Sequence, residues 1–299
     1  MKYSYSILLI VFILFETLSA QSKDTLVDVG GYKMHFNIIE GSGIPILFES
    51  GSGNDGSVWN DILEKTYKVT GTTLITYDRS GFGKSEVNPK LNEDSKFGIL
   101  NGIKELEKSL EILGYNKGII LVSHSYGAFY NSLYVSRHPN LVKSIVLVDA
   151  ATNTFWNKKL LEVYHKKPVL KEDYPNDLGM YYLVKNYKET VKIMKDIEYP
   201  SKTPILNIYS ENPFSDVSEY YTNRWVELHK KMGDSKSNVL NIPAYGSTHY
   251  IFRDNPSLVI NAIIKAYLTT LTESEQCDVL KKVLDNSINL SIEAMKKTN

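Results

Sequence analysis

The chain has 299 residues, 42% of them hydrophobic, with 34 basic side chains set against 34 acidic ones. That length buries a full core, in one large domain or one domain with an insertion. The zero net charge, without a basic stripe or an acidic block, argues against nucleic acid as a partner; the single cysteine, Cys277, excludes an internal disulfide and any paired-cysteine zinc site.

The chain opens with "MKYSYSILLIVFILFETLSAQ": Lys2, nine unbroken apolar residues from Ile7 to Phe15, then small residues ending at Ala20. A bilayer-spanning helix needs about 20 apolar residues, so the run is too short for a stable span and reads as a secretory signal peptide over 1–20. The expectation is an exported protein, periplasmic or secreted, whose mature chain begins near Gln21.

Beyond it, "TLVDV" and "YKMHFNII" (32–39) flank Gly30-Gly31 as a hairpin. Short continuous apolar runs follow in "IPILFES" (44–50), "TTLITYD" (72–78), "GIILVS" (118–123) and "SIVLVDA" (144–150), the mark of strands buried on both faces. Helical patterns lie between them, as in Ile103, Leu106, Leu110 and Leu113 before Gly114. Alternation of this kind predicts a mostly parallel sheet with helices on both faces. It breaks over 151–200, which holds eight aromatics and no buried-strand run, and resumes with "TPILNIYS" (203–210), a helix around 217–232, and "SNVLNIPA" (237–244). In "DNPSLVINAIIKAYL", Asn255 caps a helix and Pro256 takes its first turn. The expected organisation is one α/β core in two parts, 21–150 and 201–271, a helical cap inserted at 151–200, and a C-terminal helix over 272–299.

"LVSHSYGAFY" (121–130) runs a buried strand through Ser125 into a helix. This is the strand–turn–helix setting of a nucleophile elbow, whose sharp turn demands small residues two before and two after the serine. Gly127 meets that demand, and Ser123 stands where glycine is usual. A serine hydroxyl needs a base. Of the six histidines, His249 lies in a loop after the last apolar strand and before the last long helix, where an open α/β sheet gathers its functional groups. His124, although next in the chain to Ser125, should point away from it. "GFGKS" is not a phosphate loop, because position 78 is Asp where such a loop has glycine. No HExxH or HxH spacing offers a metal site.

Taken together, "ESGSGNDGSVWNDI" (49–62), "YDRSGFGKS" (77–85), the serine elbow and "GSTHYIFRDNPSLVINAI" (246–263) resemble the α/β-hydrolase fold superfamily of the serine-nucleophile type, over roughly residues 28–270. The resemblance implies hydrolysis of a small-molecule acyl substrate through an acyl-enzyme, with no cofactor. It also implies an oxyanion hole from the backbone N–H groups of Ser52 and Tyr126, and Ser50 replaces the common histidine of that loop. The triad acid can follow the sixth or the seventh strand of this fold. Asp149, ending the sixth, is favoured; after the seventh, the usual position is Pro213, leaving Glu211 and Asp216 as alternatives. Ser125 argues against the haloalkane dehalogenases and epoxide hydrolases, which share the fold but use an Asp nucleophile. An aminopeptidase-type hydrolase and a non-catalytic ligand-binding protein of the same fold stay open.

Overall fold

The computed structural model describes residues 22–290 except 92, 165 and 215–217. The signal-like stretch 1–20, Asp216 and the end of the expected last helix therefore lie outside the described residues. The first half contains β1 (Ser22–Asp28), β2 (Lys33–Ile39), β3 (Ile46–Glu49), α1 (Asn60–Thr70), β4 (Leu74–Tyr77) and α2 (Ile99–Ile112). Next come β5 (Ile119–His124), α3 (Gly127–Arg137) and β6 (Val142–Val148). The stretch 151–200 carries α4 (Lys158–Tyr164), α5 (Leu178–Lys185) and α6 (Tyr187–Met194). The chain then continues through β7 (Ile205–Ser210), α7 (Glu219–Ser235), β8 (Val239–Ala244), α8 (Ile251–Asp254), α9 (Pro256–Leu268) and α10 (Glu273–Asp285).

The strands form one eight-stranded sheet in the order β1-β2-β4-β3-β5-β6-β7-β8. The hairpin β1–β2 and the β2–β4 pair are antiparallel, and all other pairs are parallel. Successive side chains of a strand point to opposite faces, and both faces here are apolar. Ile119 and Leu121 of β5 join Ile103, Leu106 and Leu110 of α2 and Leu133 of α3. Ile120 and Val122 join Ile62 and Val69 of α1 and Val259 and Ile263 of α9. Burial on both sides is why the central strands read as unbroken apolar runs.

The chain leaves β3 in one direction, through α1 to β4, and later reaches β5 on the other side of β3. The connections diverge between β3 and β5, so a crevice opens at the carboxyl ends of these two strands. The loop after β3, the turn after β5 and the ends of β6, β7 and β8 all emerge along this edge.

Helices α5 and α6 lie over the same edge. Tyr182 stacks on Phe97 with ring centres 3.8 Å apart, Gly179 N–H donates to Gly81 O at 3.2 Å, and the Tyr187 ring lies 5.6 Å from that of Tyr126. Farther along the chain, the final helix is shorter than its sequence pattern suggests. It starts with a capping box between Thr272 and Glu275. It stops at Asp285, where Ser287 turns left-handed at φ 55° and Ile288 N–H donates back to Val283 O at 3.0 Å. This reversal brings Ile288 and Leu290 onto the core, whereas a continued helix would carry them into solvent.

Candidate active site

Ser125 sits at the corner between β5 and α3 with φ 50°, a left-handed conformation that costs a non-glycine residue about 1–3 kcal/mol. The corner is held on three sides. Ser125 N–H donates to Val148 O at 3.3 Å, and its carbonyl accepts from Ala128 N at 3.1 Å and Ala151 N at 2.9 Å. The small-residue requirement is visible at Gly127, where a Cβ would stand 2.7 Å from both Glu49 O and Ser50 O. Ser123 is fully buried, and its hydroxyl has no partner among the described residues.

His249 lies between β8 and α8, and its Nδ1 is 2.6 Å from Asp149 Oδ2. The carboxylate opposite Nδ1 holds the proton there and leaves Nε2 as the basic nitrogen. Asp149 is wholly buried just past β6 and also has a left-handed backbone, φ 43°. Its other oxygen accepts from Ser210 N at 2.9 Å and Trp225 Nε1 at 2.9 Å. Three donors from three segments thus converge on one carboxylate. Glu211 lines a surface depression with Asn223, Glu227 and Lys230 of α7.

The loop carrying His249 is pinned from below. Ser210 Oγ donates to Ser247 O at 2.5 Å, and Asp254 Oδ2 accepts from Thr248 N at 2.7 Å and Thr248 Oγ1 at 2.6 Å. His124 packs against the histidine loop, its ring centred 4.6 Å from that of His249. Its Nε2 donates to His249 O at 2.9 Å, and its Nδ1 is where a Cβ on Gly51 would collide, at 2.7 Å. Burial holds His124 far below the ordinary histidine range, so the ring is neutral and links the elbow to both neighbouring loops.

The loop after β3 passes directly over the serine, since a Cβ on Gly51 would lie 3.2 Å from Ser125 Cβ. Ser52 follows on this loop, and Tyr126 opens α3 on the other side of Ser125. The loop is braced by Arg79, whose Nη1 donates to Glu49 Oε1 at 2.7 Å and Ser50 O at 2.6 Å, while Nη2 donates to Gly51 O at 2.6 Å. Tyr77 OH completes the shell of Glu49. Burial raises the Glu49 carboxyl above its usual range, and Arg79 pulls against that rise. The nearby "GFGKS" turn encloses a carboxylate of its own chain: Asp78 accepts from Gly56 N and Lys84 N, both at 2.8 Å, and faces His35 Nδ1 at 2.9 Å.

A family model described as alpha/beta hydrolase fold matches residues 44–186, the span from the loop before β3 to the end of α5. The chain has the α/β-hydrolase fold. It is 26% identical over 229 residues to the uncharacterized protein YqjL of Bacillus subtilis (strain 168), covering 74% of this chain and 83% of that one. It is 31% identical over 105 residues to a (lyso)-N-acylphosphatidylethanolamine lipase of Bos taurus, but that match spans only 35% of this chain and 30% of the lipase. Among solved structures, an epoxide hydrolase mutant of Vigna radiata superposes with a TM-score of 0.62 at 16% identity, covering 82% of this chain and 98% of that one.

Two features of the site leave no local mark in the sequence. Arg79 sat in plain view within "YDRSGFGKS", but only the parallel pairing of β3 with β4 shows that it reaches back to residues 49–51. Trp225 reads as one apolar position of a helix, and nothing local links it to Asp149, 76 residues earlier. Among the described residues no group of three His, Cys, Asp or Glu side chains could hold a metal ion. Cys277 is exposed on α10.

Proposed function

We propose that this protein is a serine hydrolase that cleaves a carboxylic ester or related acyl bond through an acyl-enzyme. The observation that carries the reading is the 2.6 Å contact between His249 Nδ1 and the buried Asp149 carboxylate, at the same sheet edge as a strained Ser125. In this reading Ser125 Oγ attacks the acyl carbon while His249 Nε2 takes its proton. Asp149 orients the imidazole and offsets the charge of the imidazolium. The N–H groups of Ser52 and Tyr126 receive the developing oxyanion, a contribution of about 2.7–4 kcal/mol per donor in a measured protease. The proton then passes to the departing alcohol as its C–O bond breaks, and water releases the acid by the same steps.

Aromatic rings near the histidine and the elbow suit an apolar acyl or alcohol group. Phe214 lies 5.6 Å from the His249 ring, Tyr187 lies 5.6 Å from Tyr126, and Trp156 stands edge-on to Tyr187 at 5.1 Å. The bovine relative's name, a lipase, is in keeping with acyl-bond cleavage. Labelling with a fluorophosphonate probe tests the nucleophile. The parent should label and turn over an activated ester, and Ser125→Ala should do neither while keeping its melting temperature. Labelling that persists in Ser125→Ala ends the proposal.

The same protein is proposed to be exported, on the strength of Lys2, the apolar run and Ala20. Among the described residues no helix is long and apolar enough to cross a membrane. Intact-mass measurement on protein from its own host should find a chain beginning near Gln21, and a retained Met1 would refute cleavage.

A further inference from the structure

The acid after β6 has to be held from outside its own strand, because Asp149 leaves the sheet in a left-handed turn at φ 43°. Both donors to its Oδ1 come from β7 and the helix after it. One is Ser210 N–H at the end of that strand, and the other is Trp225 Nε1–H on α7, each at 2.9 Å. Trp225 is itself closely packed. It is buried, with the rings of Phe155, Phe214 and His229 centred 5.0, 5.2 and 5.4 Å away. One turn farther along α7, His229 Nδ1 meets Asn207 Oδ1 at 2.9 Å, and Asn207 Nδ2 donates to Asn241 Oδ1 at 2.8 Å. Asn241 packs so closely on α7 that a Cβ on Gly233 would stand 2.3 Å from its Nδ2. This ladder of hydrogen bonds, buried at His229 and Asn207 and half-buried at Asn241, ties α7 to β7 and β8, and so sets where the indole N–H points.

We propose that Trp225 is a positioning residue for the reaction, its indole N–H holding Asp149 in the rotamer that faces His249. The role rests on the triad reading given above. Without the indole, Oδ1 keeps a single donor and the carboxylate is free to turn about its last torsion, loosening the imidazole it orients. The negative charge that the indole had shared is then left to His249, which favours the imidazolium. The other titratable groups facing this pair are His229 from α7 and His124 from β5, with Arg253 of α8 beyond His124. Burial keeps both histidines neutral.

The test compares Trp225→Phe, Trp225→Gln and Asp149→Asn with the parent on one activated ester, across pH and below each variant's melting temperature. Phenylalanine keeps the apolar packing and removes the N–H. Glutamine discards the ring but places an amide N–H the same number of bonds from Cα. For Trp225→Phe, kcat should fall about tenfold with KM unchanged, and the acid limb of the kcat profile should move up by about half a pH unit. Trp225→Gln should return the limb to the parental position. A Trp225→Phe profile that overlays the parent's, while Asp149→Asn is crippled, overturns the role of Trp225 alone. If Asp149→Asn is near parental, the triad reading fails instead. Should Trp225→Phe not fold, hydrogen exchange of the Trp225 indole in the parent and in Asp149→Asn decides. Slow exchange that speeds up in Asp149→Asn supports the role, and exchange unaffected by that substitution overturns it.

Discussion

Replacing Arg79 by methionine is the sharpest perturbation of the loop over Ser125. Three bonds of 2.6 to 2.7 Å tie the guanidinium to Glu49, Ser50 O and Gly51 O, and both members of the ion pair are buried. Removing the cation leaves Glu49 as an uncompensated buried carboxylate with only Tyr77 OH for support, at a cost of about 3–5 kcal/mol. For a chain of this size each kcal/mol moves the melting temperature by roughly 2–4 °C, so Arg79→Met should melt about 6–20 °C lower. Combining it with Glu49→Gln removes both charges and should return most of that stability. The carbonyls of Ser50 and Gly51 stay unbraced in the double variant, so kcat on an activated ester should remain down by about tenfold, a loss near 1.4 kcal/mol of transition-state stabilisation. Thermal unfolding followed by circular dichroism and initial rates on the same preparations give both numbers. A single variant melting within about 2 °C of the parent, or a double variant no more stable than the single, would refute the reasoning.

The acid is separable from its competitor by kinetics: Asp149→Asn should lower kcat by about 10²–10⁴-fold, by analogy with a protease triad in which the same exchange costs about 10⁴, and Glu211→Gln should be nearly silent. A crippled Glu211→Gln beside an active Asp149→Asn reverses that assignment. His229 sets an acid-stability limit. Burial lowers it from the ordinary 6.5 to about 4, so the unfolded chain takes up its proton first and stability drains away as pH falls from about 6.5 to 4. The full loss is about 3 kcal/mol. Urea unfolding of the parent at pH 7 and pH 4.5 should show most of this drop, and His229→Gln should show a smaller one; equal pH dependence in the two proteins would count against it.

The layout of the sheet was legible because its central strands are buried on both faces, and such strands cannot carry polar residues in alternation. Ser125 and His249 were legible because a tight elbow and a strand-end loop leave local marks: Gly127 two residues on, and Asn255 with Pro256 closing the histidine loop. Which carboxylate meets His249 was not decidable from the chain alone. β6 and β7 end side by side at the same edge, and only the fold shows that Asp149 faces His249 Nδ1 while Glu211 lines a depression with residues of α7. Arg79, Glu49 and Trp225 were harder still, since their partners are set by strand pairing and helix register rather than by neighbours in sequence. The end of α10 escaped for the opposite reason: its polar face continues the helical pattern, and the left-handed turn at Ser287 follows from where Ile288 and Leu290 find apolar surface.

The stretch 151–200 reaches the turn after β4 and the region before α2 through few polar joints: Gly179 N–H to Gly81 O at 3.2 Å, Tyr181 OH to Asp94 Oδ2 at 2.5 Å, and Asn186 Nδ2 to Asp94 O at 3.0 Å. The Asp149, Arg79 and His124 networks use none of those side chains. The side chains of α5 and α6 can therefore change without breaking the hydrogen bonds of those networks. A library aimed at new substrates should be spent on α5, α6 and the residues leading into them. The loop at 49–55, wired to Arg79 from the end of the neighbouring strand, is the part least free to vary.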